Sequence, residues 1–551
     1  MYVFRDGRKN VRGSELKNQL ARWLESLGRD SQEDTSLGAL IAAGELECAL
    51  ADAGFPENGA KSITNDLARG LLGTLEICPT TLIDRLAKIE CPDTASVAVA
   101  EGFAYYALHP FRLEAPVRYL AAGVPVRIIG LRSIGTTLSA VVQALFTKYG
   151  CMAERITVRP TGHPYDRKLE LSGFERNWLQ AEDGALAVIV DEGPGLSGSS
   201  FLSVAEAVER AGVPPSRIVM LGSRVSDVSQ MRAPNAAERW SRFRFVAASP
   251  APVLPPDAAI DLTSGSWRHH FWEDFDHQAA AWTQLEPAKY MTFDRHALYK
   301  FHGYGHFAKS VAKRASAAAE AGFAPELLNV IRGFGKYKIE SGRLLAGESP
   351  APEIIERAAE YCAFRAVSMR TTEADASELE TMARWNWQCE FGTEPYAIRL
   401  RLERPVIADG RMLPHEWMRT NDGRILKLDG STHGDDHFFP GPCDIAWDLA
   451  GMIIEWEMNA AQSQAFLSSY QQRSGDDAGP RIADYLVAYA VFRMAWSKMA
   501  ARASAGTFDE KLLLRDYVRY RLQVLELARS VAPETACERQ SAHGLESAAA
   551  F

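Results

Sequence analysis

Along the first 95 residues, short apolar groups alternate with charged ones, as in ARWLESLG and LARGLLGTLEICPTTLIDRLAKI. That spacing predicts helices. From about residue 97 the pattern changes. VPVRIIG (124–130) reads as a short strand closed by glycine, and LSAVVQALFTKYG (138–150) places Leu138, Val141, Val142, Leu145 and Phe146 on one helical face. The pair then recurs as ALAVIV (185–190) followed by FLSVAEAVERAG (201–212), with Phe201, Val204, Ala205 and Val208 together, and RIVMLGS (217–223) adds a third strand. Strand, crossover helix and strand in succession predict a parallel sheet with helices on its faces.

The stretch 224–285 is rich in Pro, Ala, Ser and Trp, includes ASPAPVLPPDAA, and breaks the alternation; a boundary is expected near 275. Beyond it KYMTF and ALYKF read as strands, AKSVAKRASAAAEAG (308–322) as a helix, IRGFGKYKIESGRLL as further strand pieces, and 352–387 and 443–530 as long helices. The expected organisation is a helical lead-in (1–95), a parallel-sheet α/β domain (96–275), a two-lobed α+β domain (276–535) and a disordered tail (536–551).

A chain of 551 residues exceeds what one core organises. Its formal net charge of −9 argues against broad, sequence-independent attachment to nucleic acid or to anionic membranes. Eight cysteines without a CxxC pair suit a reduced compartment, and neither a signal-peptide core nor an apolar run near ~18 residues is present. The expectation is a cytoplasmic protein that meets small molecules, with its oligomeric state open.

The stretch VIVDEGPGLSGSS (188–200) ends a buried strand in two carboxylates and follows them with a loop almost free of side chains. Parallel sheets bind ligands beyond the carboxyl ends of their strands, and a helix starting near Phe201 turns its free N–H groups toward that loop. Phosphate suits the loop, while the two acids suit hydroxyl groups or a divalent cation on the same ligand. The stretch resembles the PRPP-binding signature of type I phosphoribosyltransferases. The resemblance implies that Asp191 and Glu192 bind the ribose hydroxyls and Mg²⁺, and that Ser197, Gly198, Ser199 and Ser200 hold the 5-phosphate. IIGLRSIGTTL resembles the family's pyrophosphate loop, with Arg132, Ser133 and Gly135 in it. RPTGHPYDRKL (159–169) resembles its mobile loop, with Arg159, His163, Arg167 and Lys168 as charge partners. The loop is one residue longer than the family pattern, and Gly195 or Leu196 stands where many members carry an acid near the reacting base. Taken alone, Arg132 is as readily a surface ion-pair residue, and His163 a loop histidine.

In the second half, GRILKLDGSTHGDDHFFPGPCDIAWDLAG (423–451) delivers Asp429 at the end of a strand, where an acid suits Mg²⁺ on nucleotide phosphates. It resembles the C-terminal lobe of aminoglycoside phosphotransferase and choline kinase-like proteins, with Asp429 as metal ligand and Asp448 of DIAWDLAG as a structural acid. ALYKFHGYGHF (297–307) offers Lys300 for the phosphates, Gly303 and Gly305 as a glycine loop, and a following helix with Glu320, although glycines after the lysine reverse the usual order. Where these kinases carry H-G-D-x-x-x-x-N, the chain has ADGRMLPHEW (408–417), so that Asp409 stands as the base and Glu416 replaces Asn. His433, Asp435, Asp436 and His437 form an alternative metal cluster or a solvated acidic turn. Trp385, Trp387, Trp417, Trp447 and Trp456 read as packing residues.

The resemblances together imply a Mg²⁺-dependent, PRPP-using phosphoribosyltransferase half fused to an ATP-using, kinase-like half that phosphorylates a small molecule. The alternative is a non-catalytic nucleotide or PRPP sensor with a degenerate kinase fold.

Overall fold

The computed structural model of the chain describes residues 1–5, 7–29, 32–272, 278–395 and 397–531. The tail 536–551 lies outside them.

The apolar spacing of the lead-in produces α1 (Gly13–Leu27), α2 (Glu33–Asp52), α3 (Asn58–Leu71) and α4 (Pro79–Ala87). Helix α1 buries one stripe, Leu16, Leu20, Trp23, Leu24 and Leu27, as an amphipathic surface helix does. Helix α2 is buried almost without a break from Leu37 to Leu50, because other helices cover it on several sides. A short antiparallel pair, β1 (Lys9–Val11) with β2 (Ala95–Val97), ties the two ends of the lead-in together. Its first residues belong elsewhere. Phe4 bridges Phe438, Val3 is fully buried in the C-terminal core, and the Tyr2 amide donates to Asn386 Oδ1 at 2.8 Å.

The α/β domain follows in chain order: α5 (Glu101–Ala104), α6 (Glu114–Leu120), β3 (Val126–Leu131), α7 (Ile134–Lys148), β4 (Ala153–Val158), the hairpin β5 (Thr161–His163) and β6 (Asp166–Lys168), α8 (Gly173–Gln180), β7 (Leu186–Val190), α9 (Ser199–Arg210), β8 (Ile218–Gly222), α10 (Ala236–Trp240) and β9 (Arg244–Ala247). The sheet has the order β4-β3-β7-β8-β9, and every pairing is parallel. Strands β3 and β8 are buried at every residue, which is why β8 reads as an unbroken apolar run and β3 as one interrupted by Arg127, a buried arginine paired with Glu154. One face packs under α7 and the lead-in helices, the other under α9 and α10. Gly44 permits the close approach of α2 to α7, since a methyl there would stand 1.9 Å from Thr137 Oγ1. Strand β9 lies in the stretch expected to break the alternation; at four residues with an exposed arginine it leaves little periodic signal.

A second sheet is antiparallel, with the order β10-β11-β12-β14-β13: β10 (Ala258–Asp261), β11 (Lys289–Thr292), β12 (Ala297–Phe301), β13 (Leu327–Ile331) and β14 (Phe334–Lys338). The short α11 (Arg268–Phe271) lies between β10 and β11, and α12 (His306–Glu320) between β12 and β13. Since β10 pairs with β11, the change of sheet precedes Ala258 rather than falling near 275.

The remainder comprises β15 (Gly342–Leu344), α13 (Pro352–Ser368), α14 (Ser377–Phe391), β16 (Pro405–Ile407), β17 (Trp417–Thr420), β18 (Ile425–Lys427), β19 (Pro442–Asp444), α15 (Ala446–Glu455), α16 (Ala460–Ser474), α17 (Gly479–Ala503) and α18 (Phe508–Val531). The helix expected over 352–387 is two helices, separated by a polar segment in which Asp375 accepts from the Ser377 amide. Trp387, Trp417, Trp447 and Trp456 are core residues, whereas Trp385 is 51% exposed. Among the described residues no helix is long and apolar enough to cross a membrane. A cavity of about 780 Å³ opens between the antiparallel sheet, the β17–β18 region, the N-terminal residues and α5.

Candidate functional site

Two constellations of chemically active side chains lie on either side of α5. The first stands at the carboxyl end of β7, the middle strand of the parallel sheet, where Asp191 and Glu192 leave the strand half-buried. The Gly102 amide in α5 donates to Glu192 Oε2 at 2.7 Å, and a methyl on Gly102 would come within 3.1 Å of the Glu192 carboxyl carbon. Burial pushes the Asp191 carboxyl up to about 7, against the pull of the Glu192 backbone and Arg159. Burial, followed by the charge of Glu101, pushes Glu192 up to about 8. Gly198 sits at φ 66°, in the left-handed region that spares glycine, and Ser199 begins α9.

The other residues expected here are only partly gathered. Ser197 Oγ and Ser199 Oγ both donate to the Pro164 carbonyl, at 2.9 and 2.7 Å, so the β5–β6 hairpin already closes on this loop. Arg132 and Arg159 converge, but on Asp52 at the end of α2: Arg132 Nη1 lies 3.3 Å and Arg159 Nε 3.1 Å from Asp52 Oδ1. Ser133, with φ 117°, holds a conformation that L-residues rarely adopt, as strained loops at functional sites do. Gly135 lies against β7, where a methyl would meet the Val190 carbonyl at 2.6 Å. Lys168 pairs within its own hairpin, with Asp166 at 2.8 Å, and His163 Nδ1 accepts from the Tyr165 amide. Neither Asp191 nor Glu192 lines the 780 Å³ cavity, whereas Glu101, next to the residue that caps Glu192, does.

The second constellation faces that cavity. Lys300 lies on β12, the third strand of its sheet in chain order, the place the phosphate-binding lysine takes in protein kinases. Its ammonium contacts the Asp429 carboxylate and donates to Thr432 Oγ1 at 2.8 Å. Burial pushes the Lys300 ammonium down in pKa, against Asp429, which holds it up. Burial also works against the Asp429 charge, but Lys300 and His433 outweigh it and hold that carboxyl well below the usual range. His433 bridges two acids, with Nε2 3.4 Å from Asp429 and Nδ1 3.6 Å from Asp409.

Asp409, the expected proton acceptor, lies in the interior. It is fully buried, takes a 2.6 Å hydrogen bond from the Tyr361 hydroxyl, lies 3.5 Å from Lys427 Nζ, and does not line the cavity. The spacing of the motif admits a second alignment. In H-G-D-x-x-x-x-N the acid precedes Asn by five positions, whereas Asp409 precedes Glu416 by seven; with Gly410 as the G and Glu416 as the N, the acid's place falls on Arg411. Arg411 does line the cavity. Asp448 accepts the amides of Asp409 and Gly410, both at 2.9 Å, which fixes this turn, and Arg365 Nε stands 3.4 Å from it.

Gly303 and Gly305 pack against protein rather than open space: methyls there would meet Phe307 Cβ at 2.6 Å and Gly38 Cα at 3.2 Å. Glu320 is exposed at the far end of α12, and it is Arg314 of that helix that reaches the site, donating to the Ser431 carbonyl at 2.9 Å. The chain ahead of Lys300 instead presents Trp267, Phe271 and Glu286 to the cavity.

Among the described residues, Asp409, Glu416 and His433 bring ligand atoms within 4.8 Å of one another. Lys427 already answers that charge, with Nζ 2.8 Å from Glu416 and bonded to the Asp429 carbonyl at 2.6 Å. Of these acids Glu416 lines the cavity, as Asp429 does, and oxygen donors of this kind fit a hard divalent cation such as Mg²⁺. Of the HGDDH residues, the side chain of Asp435 lies outside those described. His437 stacks on Phe4 with ring centroids 5.5 Å apart rather than joining His433 on a common ion. Lys427 and Arg411 escaped the sequence reading; the five-residue spacing was the signal for the second.

No family model matches the chain, and no curated protein matches it. Solved structures do. A choline/ethanolamine kinase family protein from Mesorhizobium loti is similar at 18% identity and TM-score 0.30, over 44% of this chain and 90% of its own. A choline kinase from Streptococcus pneumoniae matches at 14% and 0.31, over 44% and 89%. A putative aminoglycoside phosphotransferase from Ralstonia eutropha matches at 14% and 0.33, over 49% of this chain and 98% of its own. A likeness of that depth leaves the reading of the site to its own geometry.

Proposed function

We propose that the C-terminal half transfers a phosphoryl group from a magnesium-bound nucleotide, ATP in the simplest case, to a small molecule. The observation that carries this reading is the partly buried contact between Lys300 on the third strand and Asp429 on the cavity wall, 129 positions apart in sequence. A lysine and an acid so placed suit the two halves of one ligand, phosphates and their cation. A bound Mg²⁺ would neutralise charge on the transferring phosphates, held by Asp429 and Glu416. Lys300 would exchange Asp429 for phosphate oxygens, and His433 would keep Asp429 ionised and oriented. Asp448, through the Asp409 and Gly410 amides, sets the backbone that carries Arg411. Titration calorimetry with MgADP and the intact protein tests this: binding is expected, weakened at least tenfold in Lys300→Met and Asp429→Asn, and no heat with the wild type removes the proposal.

A second reading concerns the N-terminal half: phosphoribosyl transfer from PRPP, or its reverse, at Asp191 and Glu192. The specific feature in its favour is an acid pair at the carboxyl end of the central parallel strand, followed by left-handed Gly198 and the start of α9. PRPP·Mg²⁺ binding that disappears in Asp191→Asn/Glu192→Gln supports it. Tight binding of PRPP or nucleotide with no product by mass spectrometry would mark a sensor instead.

A further inference from the structure

The cavity wall around Arg411 differs from what a hydroxyl acceptor needs. Transfer to a hydroxyl requires a group to take its proton, and in the kinase pattern that group is the Asp five positions before the Asn. Here the place belongs to a guanidinium, which accepts no proton. Among the cavity carboxylates, Asp429 is committed to Lys300, Glu416 to Lys427, Glu286 to Lys289 and Glu373 to Lys9. His433 is held between Asp429 and Asp409, with its ring nitrogens 3.4 and 3.6 Å from the two carboxylates. Arg411 has Asp436 as its acidic neighbour at 3.9 Å and rests over the Trp496 ring at 5.7 Å.

Arg5 lines the same cavity, brought there by the N-terminal strand that bridges Phe438, with its guanidinium against Gly441. His437 of the same wall is only 7% exposed, its ring enclosed by Phe4, Tyr105, Tyr106 and Phe438.

We infer that the phosphoryl acceptor is an oxyanion, a phosphate monoester or a carboxylate, seated against Arg411 and Arg5. This rests on the phosphotransferase reading above. The reaction balances without a base: an acceptor oxygen, already ionised, attacks the γ-phosphorus of Mg-ATP. The bond from that phosphorus to the bridging oxygen breaks, and its electron pair leaves on ADP. No proton is released. The product is a diphosphate or an acyl phosphate, so a later reaction that spends an activated phosphoryl group must consume it.

The test uses the intact protein saturated with MgADP, titrated with inorganic phosphate in one arm and acetate in another, by calorimetry and by ³¹P line width for phosphate. Saturable binding of at least one probe is expected, weakened at least tenfold in Arg411→Met and in Arg5→Met, and weakened less in Arg411→Lys, while MgADP affinity changes less than threefold. Melting curves confirm that each variant is folded, and Arg5→Met serves alone if Arg411→Met is not. The arm that binds tells phosphate from carboxylate. No binding of either probe to the wild type, or equal binding in both Met variants, overturns the inference. So does phosphoryl transfer confined to hydroxyl compounds and abolished by His437→Gln, which would make the imidazole a base. If the wild type binds no MgADP, it is the phosphotransferase reading that fails, and the anion titration then stands as a separate result.

Discussion

Arg132 Nη1 lies 3.3 Å from Asp52 Oδ1, and Arg159 reaches the same carboxylate from the next strand. Two arginines that the sequence assigns to a departing pyrophosphate therefore already hold an anion, one supplied by the lead-in helix α2. Each pair is partly open to solvent, where an ion pair contributes about 0.2–1 kcal/mol. An incoming anion must displace Asp52 first. Asp52→Asn is expected to tighten pyrophosphate binding about 3- to 10-fold, the arithmetic of roughly 1 kcal/mol returned to the ligand. Calorimetry of both proteins with pyrophosphate measures it; weaker binding in the variant would mean that Asp52 positions the arginines rather than competing for them.

The acid pair has a sign that can be checked. Asp191 and Glu192 titrate near 7 and 8 in the folded protein, above their ordinary values of 3.8 and 4.5. The unfolded chain gives up these protons first, so it binds fewer protons than the folded one between about pH 4 and 8. Stability contributed by the pair is therefore intact at low pH and is lost as pH rises through that window. Asp191→Asn/Glu192→Gln is expected to melt about 2–4 °C above wild type at pH 8.5, roughly 1 kcal/mol after allowance for solvent, with the gap closing at pH 4.5. A gap that does not narrow toward pH 4.5 would place the raised affinity for protons elsewhere.

What the sequence disclosed and what it hid follow from physics. Strands β7 and β8 were legible because burial on both faces leaves no polar interruption, and β3 because Arg127 alone breaks its apolar run. The lead-in helix α1 was legible through its single apolar stripe. Strand β9 was not, and neither was the membership of β10 in the second sheet, since short edge strands carry little periodicity. At the sites, the residue types were visible but their partners were not. Nothing local in the sequence links Asp52 to Arg132, or Lys300 to Asp429, because those contacts join segments 80 and 129 positions apart. Asp409 was chosen for its chemistry; its burial under Tyr361 is a tertiary fact.

That burial makes Asp409 a stability residue. Lys427, His433 and the Tyr361 hydroxyl surround its carboxylate, and Lys427, itself buried, holds it well below the usual range against the opposing effect of burial. Asp409→Ala leaves a buried ammonium short of its counter-charge, a change that costs about 3–5 kcal/mol. Asp409→Asn keeps an acceptor for Tyr361 and is expected to cost less, about 1–3 kcal/mol. Urea unfolding gives both values. A fully stable Asp409→Ala protein that has lost turnover would return Asp409 to the role of base.

The lead-in helices are bound to the parallel sheet by a charge pair with no access to water. Arg155 on β4 makes two 2.7 Å bonds to Glu47 on α2, with side-chain exposures of 0% and 1%, and its Nε donates to Asn65 at 2.6 Å. Such a pair adds little over a well-packed apolar replacement, yet removing one partner strands the other charge. Glu47→Ala should therefore lose about 3–5 kcal/mol, whereas Glu47→Met with Arg155→Met should recover most of it. Because α2 also carries Asp52, the single variant is expected to loosen the Arg132 and Arg159 contacts as well. Hydrogen exchange checks the coupling: amides of α2 and of the loop at Ser133 should lose protection together in Glu47→Ala, while those of α17 keep theirs. Protection lost in α2 alone would mean that the helix opens without disturbing the loop, and that the Asp52 contact holds by itself.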